Sequence, residues 1–163
     1  MEIINLPVIG KQRPVADAIQ AMRHRRTGGV VSVSRSRFRL HTFKELIAAA
    51  RYDSAQPLGQ IPGWDVDELE LTDAQSYNLS FTRPNIGMVD SYLGVRQKDF
   101  LLMAAAPGQP GTALIAFKSG ADAQYYGVYP KAWVCPQNSN EVWDDSNKPT
   151  LCPNHGVAPV EDK

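Results

Sequence analysis

The chain has 163 residues and a mass of 18.0 kDa, is 43% hydrophobic, and carries 17 basic and 17 acidic side chains. Those figures exclude a wholly disordered chain and a collagen-like fibre, and they fit one domain of usual size or a domain with a small appendage. The zero net charge argues against a general nucleic-acid coat, yet it hides a split: residues 1–52 hold ten Lys/Arg against three acids, and residues 53–163 hold seven against fourteen. Such halves imply either contact with each other or an anion bound by the first.

Met1-Glu-Ile-Ile-Asn-Leu-Pro lacks the basic stretch and long apolar run of a signal peptide. The longest apolar run, Phe100–Ala106, is seven residues, against about 20 for a membrane span. A soluble cytoplasmic protein with no membrane partner is therefore expected. Pro14 is placed at the first position of a helix, with Val15, Ala18, Ile19 and Met22 on one face and Arg23–Arg26 in the last turn. Thr27-Gly28-Gly29 ends it. Val30–Ser34 and Phe38–His41 read as strands around a turn near Ser34–Arg37, and Thr42-Phe-Lys-Glu45 opens a second helix with Phe43, Leu46, Ile47 and Ala50 inward. Residues 53–75 are irregular and acidic, a boundary or linker. Beyond them Tyr77–Thr82, Phe100–Ala106, Thr112–Lys118 and the aromatic-rich Gln124–Val134 read as strands, with Pro107–Gly111 as a turn.

The run from Pro14 through Gly28-Gly-Val-Val-Ser-Val to Phe38-Arg-Leu-His-Thr-Phe-Lys-Glu-Leu46 resembles a CBS module, the cystathionine-β-synthase-type regulatory repeat. In that family a Thr/Ser and an Asp before the last helix contact the phosphate and ribose of an adenine nucleotide. Thr42 and Glu45 occupy those positions here; Arg39 replaces the family glycine, and Glu is longer than Asp. The resemblance implies a regulatory, ligand-sensing or protein-docking module that binds an adenine nucleotide or other small anion, and a lone copy implies a homo-oligomer. The same Thr-x-x-Glu is also a capping box that needs no ligand. Arg35, Arg37 and Arg39 alternate and can add to a phosphate-binding patch. Nucleic acid competes for that patch but is not favoured, because no recognition helix accompanies it and Phe38 is the only interleaved aromatic.

In the tail, Cys135-Pro-Gln-Asn138 and Cys152-Pro-Asn-His155 resemble the two knuckles of a zinc ribbon, with Asn138 and His155 where cysteines would stand. Cys135, Cys152 and His155 are three credible zinc ligands. Glu141, Asp144, Asp145, a distant histidine or water remain open for the fourth position. A degenerate ribbon without metal and a Cys135–Cys152 disulfide are the alternatives, as is a small metal-dependent enzyme with an open position, although the sequence places no general base nearby. The expected fold is α+β: a basic CBS-like helix–strand–strand–helix segment (1–62), an acidic linker and strand-rich segment (63–129), and a zinc-ribbon-like hairpin tail (130–163).

Overall fold

The computed structural model of the chain describes residues 2–35, 37–66, 100–106 and 111–163. The strand expected over 77–82, the turn over 107–110 and most of the acidic stretch 65–73 lie outside them. The fold is mixed α and β. Its elements are β1 (Glu2–Gly10), α1 (Val15–Arg25), β2 (Gly29–Ser34), β3 (Arg37–Thr42), α2 (Phe43–Asp53), a single 3-10 turn (Leu58–Gln60), β4 (Trp64–Val66), β5 (Phe100–Ala106), β6 (Gly111–Phe117), α3 (Gly120–Gly127), β7 (Ala132–Cys135), β8 (Asn138–Asp144) and β9 (Val160–Glu161).

Two sheets form among the described residues. The larger runs β4-β3-β2-β1-β6-β5 and the smaller β8-β7-β9. β1 lies parallel to β2, the crossover being α1, and antiparallel to β6, with Glu2 opposite Phe117 and Val8 opposite Gly111. Helices cover the large sheet on both faces. Val30 and Val31 are adjacent on β2 and therefore point to opposite sides. Val30 packs with Val15, Ile19, Met22, Leu46 and Ile47 of α1 and α2. Val31 packs with Leu6, Ile115 and Phe117, and with Ala123 and Tyr126 of α3. Burying each large aliphatic of this core contributes about 1.5–3 kcal/mol.

The first helix bears out the expected stripe: Val15, Ala18, Ile19 and Met22 are all buried. Pro14 is its N-cap, one position earlier than expected, and Arg26 closes it in the left-handed region at φ 56°. Gly28 lets the next turn press against α3, since a Cβ there would meet the Tyr125 and Val128 carbonyl oxygens at 2.5 and 2.6 Å.

The strand expected over Gln124–Val134 is corrected. Residues 120–127 are helical, and only Ala132–Cys135 is extended. The Ser119 side chain caps α3 by accepting from Asp122 N, and Ala123 and Tyr126 bury themselves three residues apart while Tyr125 stays 54% exposed. Cap and helical spacing override the strand preference of the aromatics.

The tail docks on the α1/α2 side, where Ala132, Val134 and Val142 join the core of those helices. Opposite charges meet along this contact and at β3. Arg23 Nε lies 2.7 Å from Asp162 Oδ2, Arg26 Nη1 3.6 Å from Asp162 Oδ1, Arg51 Nη2 3.4 Å from Asp144 Oδ1, and Arg39 Nε 3.3 Å from Asp65 Oδ1. The basic and acidic parts of the chain therefore answer each other directly. Asp162 also accepts from Tyr129 Oη at 2.8 Å, and its side chain is only 9% exposed. Desolvation acts to raise its carboxyl, but the bonds from Arg23 and Tyr129 outweigh it and hold Asp162 below the usual carboxylate range.

Candidate metal centre

The tail contains two turns. β7 and β8 form a tight hairpin whose register breaks between Val134 and Cys135, setting Cys135 opposite Asn138. Asn138 Oδ1 accepts from Asn140 N at 3.1 Å, so this residue serves the turn. The second turn winds back on itself: His155 N and Gly156 N both donate to Cys152 O, at 3.3 and 2.8 Å, and Cys152 N donates to Val157 O at 2.7 Å. Gly156 sits at φ 64°, in the region glycine tolerates freely. The winding returns His155 to the Cys152 sulfur.

The two turns bring one ligand atom from each of Cys135, Glu141, Cys152 and His155 within 4.8 Å of one another. His155 Nδ1 is 3.5 Å from Cys135 Sγ, 3.4 Å from Cys152 Sγ and 3.5 Å from Glu141 Oε2. Zinc bonds of about 2.3 Å to sulfur and about 2.0–2.1 Å to nitrogen or oxygen put neighbouring corners of a tetrahedron about 3.5 Å apart. Three measured edges match. The fourth, Cys152 Sγ to Glu141 Oε2, is 2.5 Å, about 1 Å shorter than such an edge, so this pair would have to move apart to admit the cation. Both cysteines are free thiols and 1% exposed.

Second contacts fix the carboxylate, whose Oε1 accepts from Asn154 Nδ2 at 2.8 Å. The bond from Cys152, then that from Asn154, holds Glu141 below the ordinary range, while burial and then the Glu141 carboxylate push the Cys152 thiol up. Of the acids open for the fourth position, the structure brings in Glu141. Asp144 is held by Arg51 and Asn147, and Asp145 accepts from Trp133 Nε1 at 2.9 Å.

The residues of the first half are placed differently. Thr42 and Glu45 close on each other: Glu45 N donates to Thr42 Oγ1 at 3.3 Å, Thr42 N to Glu45 Oε1 at 3.2 Å, and Thr42 Oγ1 to the same Oε1 at 2.8 Å. Arg39 donates to Ile61 O and pairs with Asp65, whereas Arg35 and Arg37 are exposed around the β2–β3 turn. Arg37 and Thr42 stand at opposite ends of β3, about 16 Å apart at the usual rise per residue. His41, fully buried beside Thr42, meets Ser32 Oγ at 2.7 Å through Nε2 and Pro62 O at 3.0 Å through Nδ1. Desolvation above all lowers its pKa. It is a satisfied core histidine.

No family model matches the chain, and no curated protein matches it. No helix among the described residues is long and apolar enough to cross a membrane.

Proposed function

We propose that the protein is a zinc-binding protein, with Cys135, Glu141, Cys152 and His155 as the four ligands of a closed structural site that pins the tail. The observation that carries this reading is the convergence of two thiols, an imidazole and a carboxylate within 4.8 Å. Two sulfurs and a nitrogen select a borderline-soft cation such as zinc over magnesium or calcium. Four protein ligands leave no open corner for substrate water, which favours a structural role over hydrolysis. Binding requires thiolates, so metal uptake releases protons and weakens as pH falls.

The test is metal analysis of protein purified without added zinc. About one zinc per chain is expected in the wild type, and a sharp loss in Cys152→Ser. Wild-type protein that neither carries zinc nor takes it up with micromolar affinity would overturn the reading.

A second reading draws on the order β1–α1–β2–β3–α2, with β1 parallel to β2 and β2 antiparallel to β3. That order is compatible with a CBS-like regulatory segment over 1–62 that takes an adenine nucleotide at Thr42 and Glu45. For this reading, AMP, ATP or S-adenosylmethionine must raise the thermal midpoint, and Thr42→Ala must abolish the rise. An unchanged midpoint at millimolar ligand leaves Thr42 as a helix cap.

A further inference from the structure

A cavity of about 550 Å³ opens where α3, the first turn of α2 and the end of β8 meet, a volume usual for small-molecule sites. Its walls are fixed by backbone: Gly28 N donates to Tyr126 O at 2.9 Å, and Phe43 N donates to Gly28 O at 3.1 Å. Phe43, Tyr125, Val128 and Pro130 supply apolar surface to it. Tyr125 and Val128 are 54% and 56% exposed, so this surface lacks a cover within the described chain.

The charged groups at the cavity are unequally matched. Asp144 takes Asn147 Nδ2 at 2.7 Å and Arg51 Nη2 at 3.4 Å, and Asp145 takes the Trp133 indole N–H at 2.9 Å. Lys44 has neither a hydrogen bond nor an ion pair among the described residues. Lys131 has one ring contact, 5.7 Å from the centre of Trp133. Asp144 is thus paired with a cation and Asp145 is held by a neutral donor, turned to the Trp133 indole, while the two ammonium groups remain available beside exposed apolar walls.

We infer that this cavity binds a small organic anion with a flat apolar body: a carboxylate, sulfonate or phosphate carried on a ring system. The ring lies against Tyr125, Val128 and Pro130, and Lys44 and Lys131 answer the charge. The cavity shares no residue with the four zinc ligands.

The probe is 1-anilinonaphthalene-8-sulfonate, titrated by fluorescence into native protein at moderate salt, with N-phenyl-1-naphthylamine as the same ring system without the sulfonate. Expected are one saturable site per chain with micromolar affinity, at least tenfold weaker binding of the neutral compound, and at least tenfold weaker sulfonate binding in Lys44→Glu/Lys131→Glu. Lys118→Glu, an exposed cation that does not line the cavity, leaves binding unchanged. Each variant is first shown to keep the wild-type near-ultraviolet circular dichroism, since partly unfolded chains also bind this dye. Absence of saturable binding, equal affinity for the two compounds, or indifference to the double charge reversal overturns the inference. The two-compound comparison needs only the wild type, so it decides even where the double variant misfolds.

Discussion

At the start of α2, Thr42 and Glu45 direct their polar atoms at each other and at two backbone N–H groups. At the far end of the chain, two thiols, an imidazole and a carboxylate point at a common centre from β7, β8 and the turn after them. The first pair is three residues apart, and a helix brings such residues together without tertiary help. The second set is drawn from positions 135 to 155, and only docked turns bring it together. A motif closed within one turn needs nothing further. Buried thiols gathered from separate segments gain their full stabilisation when a cation replaces their protons.

Metal removal breaks this comparison most strongly. Chelation of the wild type, or Cys152→Ser, is expected to cost about 4 kcal/mol or more under conditions where free zinc exceeds its dissociation constant a thousandfold. The readout is the thermal midpoint with and without chelator. Thr42→Ala must retain the full chelator response, whereas Cys152→Ser must lose it. Equal responses in both would sink the distinction between the two regions.

The next effect concerns how the tail is held without metal. Asp162→Ala removes the acceptor for Arg23 and Tyr129 and is expected to cost about 1.5–3 kcal/mol, the usual range for hydrogen bonds to a charged group. Denaturant unfolding in the presence of chelator checks it. Because the folded carboxyl titrates below its unfolded value of 3.8, its stabilisation is complete above that pH and disappears as pH falls through the lower folded value.

His41 extends the acid sensitivity to higher pH. Its folded pKa lies below the unfolded 6.5, so the unfolded chain takes up the proton first as pH falls. Stability should decline from about pH 6.5 down to the folded pKa. In His41→Gln this segment of the pH dependence is expected to vanish, whatever the variant's overall loss; a persisting slope assigns it to another group.

The smallest effect is Thr42→Ala at neutral pH, about 1 kcal/mol, typical of losing an N-cap. Metal content should not change.

How legible these regions were in the sequence follows from the range of their contacts. α1 and α2 show as helical stripes with end signals because their partners repeat every three or four residues. β1 carries Leu6, Val8 and Ile9 buried on both faces, so it lacks the alternation that marks a half-exposed strand. Three of the four proposed zinc ligands stand out through the two Cys-Pro turns. Glu141 was one acid among several until the β7–β8 register selected it. Asp162 gives no local sign of its role, because Arg23 lies 139 residues away. The cavity is equally silent, being built from four separate segments, none of which signals a pocket by itself.

The β1–β6 ladder also bears on how the chain reaches its fold. Glu2 pairs with Phe117, so β1, an interior strand of the large sheet, waits for a partner synthesised more than a hundred residues later. The helices and hairpin between residues 15 and 53 can form from near neighbours, but closing so long a loop carries an entropy cost before its contacts return anything. On the ribosome, β1 must therefore remain half-paired until β6 emerges, with one backbone edge available to any competing strand.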